Sequence, residues 1–159
     1  MRYGNGVVVG KFYPPHLGHK GLIDYASAKC DHVTVIIVDR ERPGDYTGIP
    51  AWLRQQWMYK IHPQRNIIIQ IARPPIWFPD IDDTLWAGLT MGLVNGPVDA
   101  FFSDEYERDK HFAEIMHANW EYPLEEPRFH ASDIRADPMA NLDKLHPLVQ
   151  QFYKEKNNE

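Results

Sequence analysis

Short β-branched runs alternate along this chain with longer stretches whose apolar positions recur every three or four residues. Residues 7–10 (VVVG) form a brief apolar run closed by glycine, the pattern of a buried first strand. Residues 17–30 follow as a helix, with Leu22, Ala26 and Cys30 at intervals of four on one face. Residues 33–38 (VTVIIV) are almost continuously β-branched, as in a parallel strand covered on both faces. Gly, Pro and charge at 40–50 predict a loop, 51–61 a helix, and 66–72 (NIIIQIA) a third strand. The Pro-rich stretch 73–79 cannot continue a strand. A helix is predicted at 82–93, entered through acidic residues that suit its N-terminal dipole. A fourth strand at 98–102, a helix at 106–117 and a short strand within 121–129 follow. A helix beginning near Ala131 and another at 147–156, with Pro147 in its first turn, close the chain. Such alternation predicts parallel strands joined by helical crossovers, a three-layer α/β sandwich with a mostly parallel central sheet. Ligands of such sheets bind beyond the carboxyl ends of the strands, here after Gly10, Val38, Ala72 and Phe102.

Composition narrows the classes. The 159 residues suit one domain spanning 1–159, and no repeat or low-complexity linker divides them. A hydrophobic fraction of 43% against 25% charged excludes a wholly disordered chain. No apolar run approaches the roughly 20 residues that span a bilayer. The opening MRYGNG runs straight into VVV without the pattern of a signal peptide, and Cys30 is the single cysteine. The expected location is therefore cytoplasmic. A net charge of −5 argues against a nucleic-acid partner. The charge is uneven, however. Residues 1–75 hold 10 Lys/Arg against 5 Asp/Glu, and residues 76–159 hold 7 against 17. Positive charge around the first strand suits a small phosphorylated ligand, and an unevenly charged solvated surface fits the count equally well.

The loop after the first strand reads Gly10-Lys11-Phe12-Tyr13-Pro14-Pro15-His16-Leu17-Gly18-His19. His16 and His19, three apart at a helix start, project from nearly the same side. The helix-start amides beside them form an anion site. Lys11 adds a fixed charge, and Gly18 lacks a side chain that would keep a ligand away. Phosphoryl and nucleotidyl transfer need mainly positive charge and positioning, and this cluster offers both. Two other readings stand beside it: a helix start with structural histidines, and a zinc site, which would need ligands not evident nearby.

The HxGH segment resembles the signature of the adenylyltransferase/cytidylyltransferase superfamily. Its second signature, of the form ISSTxIR, has a counterpart in Phe129-His130-Ala131-Ser132-Asp133-Ile134-Arg135. Class I aminoacyl-tRNA synthetases carry a similar first motif, but their KMSKS-like lysine segment is absent. GKFYPPHLGH, Asp82-Asp83-Thr84-Leu85-Trp86, Phe102-Ser103-Asp104-Glu105-Tyr106 and Leu145-His146-Pro147 are most similar to one branch. That branch is the nicotinamide-mononucleotide adenylyltransferase domain of bacterial enzymes that also carry a ribosylnicotinamide kinase. The similarity covers nearly the whole chain and implies a Rossmann-like sandwich. No P-loop occurs, so kinase activity is not expected.

The resemblance implies a role for each matching residue. His16 and His19 would contact the ATP phosphates and steady charge at the α-phosphorus, and Lys11 would help neutralise the phosphates. Gly10, Phe12 and Gly18 would lie close to the nucleotide. Arg135 would hold the leaving pyrophosphate through its planar donor fork. Ser132 would bind the same polyphosphate, and Ser103 would cradle the adenosine. Arg54 would meet the phosphate of the acceptor, and Trp86 would stack on its nicotinamide ring. Two departures stand out: His130 and Ala131 replace the family's first two serines. His130 either donates to a phosphate or caps the helix. Trp86 is otherwise a core tryptophan, and Trp52, Trp57, Trp77 and Trp120 are read as packing. The acidic pairs Asp82/Asp83 and Glu125/Glu126 are read as a solvated face. The implied reaction joins nicotinamide mononucleotide to the AMP portion of ATP, giving NAD and pyrophosphate, with Mg²⁺ held mainly by the phosphates and water. No metal-ligating residues are assigned, and a homo-oligomer is left open. Nicotinate mononucleotide, pantetheine phosphate or a CTP-dependent alcohol phosphate would fit the same signatures. A nucleotide sensor without turnover would fit them as well.

Overall fold

The computed structural model describes residues 2–39, 48–74, 83–104, 107–123 and 129–159. Its strands are β1 Tyr3–Gly10, β2 Cys30–Val38, β3 Ile67–Ala72, β4 Ala100–Phe102 and β5 Asn119–Glu121. Its helices are α1 Leu17–Lys29, α2 Ala51–Ile61, α3 Asp83–Leu93, α4 Glu107–Ile115, α5 Ala131–Ala136 and α6 Pro147–Asn157, with a 3-10 turn at Met139–Lys144. The strands form one sheet in the order β3-β2-β1-β4-β5, and all neighbours are parallel.

Neighbouring residues on a strand face opposite sides, and the two cores follow that rule. Val8, Val35, Ile37 and Phe102 pack under α1 and α2 with Ile23, Ala26 and Met58. Val7, Ile36 and Phe101 pack on the other face under α3 and α4 with Ala87, Phe112 and Ala113. A third cluster gathers Tyr13, Trp57, Ile61, Ile134, Leu145 and Val149. It ties the loop after β1 to α2, α5 and α6. This cluster carries α5, distant in sequence, onto the first loop.

Several boundaries differ from those the pattern predicts. β1 begins at Tyr3, because pairing with β2 from Tyr3↔Cys30 outweighs the weak strand propensity of Gly4 and Gly6. Gly6 is required there: a Cβ would meet Cys30 Sγ at 2.5 Å and the Phe102 ring at 2.9 Å. α1 stops at Lys29, since Cys30 is already extended and starts β2 without a connecting loop. β4 begins at Ala100, two residues later than predicted. α4 ends at Ile115 because His117 takes a left-handed backbone (φ 55). The amide of Ala118 donates to Ala113 O and that of His117 to Glu114 O, a Schellman closure. That early stop moves β5 back to Asn119–Glu121, ahead of its predicted place. The 3-10 turn after α5 was not foreseen.

β3 is an edge strand, and α2 covers its outer backbone. Tyr59 Oη accepts from the Ile69 amide (3.1 Å) and donates to Ile69 O (3.3 Å), while Gln55 Nε2 also donates to Ile69 O (2.8 Å). Among the tryptophans read as packing, Trp57 is core, but Trp52 is 60% exposed. Most of the loop expected at 40–50 and of the Pro-rich stretch 73–79 lies outside the described residues. So do Trp77, Asp82, Glu105, Tyr106, Glu125 and Glu126.

Candidate active site

β1 lies where the sheet order reverses: its chain neighbour β2 is on one side and β4 on the other. Crevices form beyond the carboxyl ends of strands at such a switch point. The loop after Gly10 sits there. Phe12 holds a left-handed backbone (φ 50), and its ring is buried against Gly10. Burying that ring contributes about 1.5–3 kcal/mol, enough to offset a left-handed residue's cost of about 1–2 kcal/mol. The ring also stands edge-on to the His19 imidazole, with centroids 4.8 Å apart. Phe12 therefore supports the second histidine from below.

His16 is the N-cap of α1, and His19 is the third residue of its first turn. The His19 amide donates to His16 Nδ1 (3.2 Å), and the His16 amide donates to His19 Nδ1 (3.1 Å). The rings stack with centroids 3.5 Å apart and planes 16° from parallel. A ring nitrogen that accepts cannot carry the proton, so this hydrogen-bond network assigns both rings the Nε2–H tautomer. Burial pushes His16 down to about 4, and the neighbouring His130 adds to the shift. Burial, with His16 and His62 nearby, holds His19 well below the ordinary histidine value. At neutral pH the pair is two neutral N–H donors fixed at a helix N-terminus. Gly18 makes the stack fit. A Cβ there would stand 2.9 Å from His16 Cε1, so the neighbour it admits is the imidazole itself.

Two arginines close on the same loop. Arg135 Nη1 donates to Tyr13 O (2.7 Å), and Arg54 Nη1 donates to Lys11 O (2.6 Å). Each guanidinium carbon lies 5.2 Å from the centroid of the Tyr13 ring. The second signature is thereby brought onto the first. Phe129 adds an edge-on ring 6.0 Å from His16, and His130 is the N-cap of α5 without a side-chain cap bond. Lys11, Ser132 and the Arg135 side of α5 are exposed.

Arg54 is 5% exposed and its donors face the protein. Besides Lys11 O, they reach Ile49 O (3.2 Å), Val38 O (3.4 Å) and Asp39 Oδ1 (3.5 Å). In this geometry Arg54 fastens the first loop to the end of β2 and the start of α2. Ser103 lies just beyond β4, buried, and its Oγ accepts from Trp120 Nε1 (2.9 Å). Trp86 packs against the core on the α3 and α4 face. The sheet thus separates Trp86 from α1, while Ser103 follows the strand next to β1. Sequence reasoning missed Asp39, which holds Arg54 and Arg73 (3.1 Å to Nε), although its place at the end of a central strand was a signal. It also missed Trp120 as the partner of Ser103, a contact between separate strands that no local pattern marks. Among the described residues, no group of three or more His, Cys, Asp or Glu could hold a metal ion. Among them, too, no helix is long and apolar enough to cross a membrane.

No protein-family model and no curated protein matches the sequence. Solved structures do match. NadR protein in complex with NAD and AMP-PNP matches with TM-score 0.66 and 17% identity, over 89% of this chain and 44% of its own. The chain shares the Rossmann-like α/β sandwich of these structures. A bifunctional NMN adenylyltransferase/ADP ribose pyrophosphatase from Francisella tularensis matches with TM-score 0.67 and 14% identity, over 84% of this chain and 41% of that one. Nicotinic acid mononucleotide adenylyltransferase from Plasmodium falciparum, complexed with NaAD, matches with TM-score 0.59 and 13% identity, over 98% and 97%. The chain thus spans less than half the length of the first two. In this Rossmann-like fold, the histidine pair and Arg135 meet at the switch-point loop.

Proposed function

We propose that the chain transfers the adenylyl group of ATP to the 5′-phosphate of nicotinamide mononucleotide, giving NAD and pyrophosphate. One observation carries the reading: two fixed neutral imidazole donors and Arg135 converge on one loop at the carboxyl edge of β1. The names of the structural neighbours support the same chemistry. An oxygen of the acceptor phosphate attacks the α-phosphorus in line. The bond from that phosphorus to the bridging oxygen breaks, and pyrophosphate leaves with the electron pair. The attacking oxygen is already anionic, so no general base is required.

His16 and His19 donate Nε2–H bonds to phosphate oxygens as charge moves through the transferring group. Being neutral, they need no proton to be gained or lost during the step. Lys11 and Arg135 supply fixed positive charge to the polyphosphate, and His130 and Ser132 add donors beside Arg135. The backbone of Gly10 and Phe12, with Gly18, shapes the floor. Ser103 faces the adenosine, and Trp86 the nicotinamide. Arg54 sets the position of Lys11, and it would reach the acceptor phosphate only by giving up a protein carbonyl. The nitrogen donors of this loop suit phosphate oxygens and not a cation, so Mg²⁺ would arrive with ATP, held by its oxygens and water. When bound, it would withdraw charge from the polyphosphate.

Nicotinate mononucleotide is the second reading, favoured by the similarity to the Plasmodium enzyme. A pyrophosphate-release assay with ATP, Mg²⁺ and a panel of acceptors separates the two. Release is expected with nicotinamide mononucleotide and at a lower rate with the nicotinate form. Release with pantetheine phosphate alone, or with no acceptor at all, would overturn the proposal. Trp86→Ala is expected to raise KM for the pyridine nucleotide several-fold while sparing that for ATP, the loss of one ring contact.

A further inference from the structure

Beside the histidine pair lies a small cleft whose polar lining is His16, His19, Lys20, His62 and His146, with Pro15, Leu17, Met58 and Ile61 as its apolar walls. The proposed transfer uses only the first two. Lys20 and Asp24 follow one another along α1 as an i,i+4 pair, with Lys20 Nζ 2.6 Å from Asp24 Oδ2. Gln64 Nε2 donates to Asp24 Oδ1 (2.7 Å), and His62 Nδ1 lies 3.3 Å from that same oxygen. Burial alone would raise the Asp24 carboxyl, but its donors, Lys20 and Gln64 first, bring it below the ordinary value. Asp24 is therefore a carboxylate at neutral pH. His62 accordingly places its proton on Nδ1 toward Asp24, and its Nε2 remains open to a second proton. The His62 side chain is only 1% exposed. His146 is the N-cap of α6 and accepts the Leu148 amide at Nδ1 (3.1 Å), so it presents Nε2–H. Two helix N-termini, those of α1 and α6, flank the same cleft.

We propose that Lys20, His62 and His146 form a second anion subsite, adjoining the histidine pair, that takes a phosphoryl group. The sign follows from the inventory. Asp24 is the one carboxylate in the cluster, and three donors already satisfy it. Every other polar group facing the cleft donates or can take a proton: Lys20, His16 and His19 from α1, His62 after α2, and His146 before α6. A phosphate oxygen at His62 Nε2 would hold an imidazolium between two anions, Asp24 and the ligand. Burial first, then Lys20 and His146, hold the free His62 below the ordinary histidine value against the pull of Asp24. Coupling to proton uptake at His62 therefore strengthens binding only as pH falls below the ordinary imidazole range. Lys20, as a neighbouring cation, opposes that proton and favours the anion directly.

The phosphoryl group has two sources, the far end of a bound triphosphate or free phosphate. Histidine Cε1–H resonances of the full chain, titrated at pH 7 with inorganic phosphate, pyrophosphate or ATP, distinguish them. The His62 and His146 signals are expected to shift saturably, with a midpoint tenfold or more higher in Lys20→Met and near wild type in Lys20→Arg. Shifts with free phosphate assign the subsite to the free anion. Shifts with pyrophosphate and ATP alone assign it to the polyphosphate end. If neither signal moves with any probe, or if Lys20→Met leaves the midpoint unchanged, the subsite does not exist. The result is independent of the transfer reaction. Shifts without pyrophosphate release keep the subsite and remove the proposed function, while release without shifts does the opposite.

Discussion

At the scale of single residues, the histidine pair combines structure and chemistry in the same atoms. Nδ1 of each ring closes the first turn of α1, which leaves the proton of each ring on Nε2. His19→Ala removes one fixed donor, and kcat is expected to fall by about 10²–10³ in the pyrophosphate-release assay with ATP binding less affected. Unchanged kcat in a folded His19→Ala protein would remove this residue from the mechanism. The same geometry sets a pH dependence. His16 titrates near 4 in the folded chain, below the ordinary value of about 6.5 that it has when unfolded. The unfolded chain therefore binds the extra proton first as pH falls. The stabilisation is whole above about pH 6.5 and is lost progressively toward pH 4, a difference on the order of 3 kcal/mol. Urea unfolding of wild type and His16→Gln across this window checks it. The wild type should lose stability more steeply, and equal slopes would mean that the cap tolerates an imidazolium.

At the scale of elements, ends were harder to read than middles. The apolar runs of β2 and β3 mark themselves, because side-chain alternation and β-branching are local properties. The end of α4 rests instead on one backbone torsion at His117, a residue with no glycine-like signature. Left-handed backbone costs a residue with a Cβ about 1 kcal/mol or more. His117→Gly is expected to stabilise the protein by about 0.5–1 kcal/mol in thermal or denaturant unfolding, since relief of strain exceeds the added chain entropy. Loss of stability instead would mean that the exposed imidazole contributes more than its backbone costs. The α1–β2 junction shows the same limit. Cys30 continues the helical spacing of Leu22 and Ala26, yet pairing with Tyr3 makes it a strand residue.

At the scale of the whole molecule, the candidate site depends on the third core cluster, which presses α5 and α6 against α2 and the first loop. Arg54 and Arg135 then flank Tyr13 from two helices that lie far apart in sequence. This arrangement separates two roles for Arg54. A clamp on Lys11 O and Asp39 implies that Arg54→Met lowers kcat, raises KM for ATP and lowers stability by a few kcal/mol, since buried carbonyls lose their donor. An acceptor-phosphate ligand implies a rise in KM for the mononucleotide alone. Steady-state kinetics with each substrate varied, alongside an unfolding curve, decides between them. The clamp outcome is expected.

The sequence by itself determined the alternation of strands and helices, the parallel sheet and the place of both signature segments. Those features follow from local periodicity and from residue types at fixed spacing. It also placed His16 and His19 at a helix start, because a spacing of three puts them on one side of the first turn. Tertiary structure alone decided which nitrogen of each ring is occupied and that Gly18 makes room for an imidazole. It alone placed Phe12 beneath His19 and directed the donors of Arg54 into the protein. The physical reason is that hydrogen-bond capacity is finite: whether a donor remains for a ligand depends on which acceptors the fold brings within about 3 Å, and those acceptors lie elsewhere in the chain.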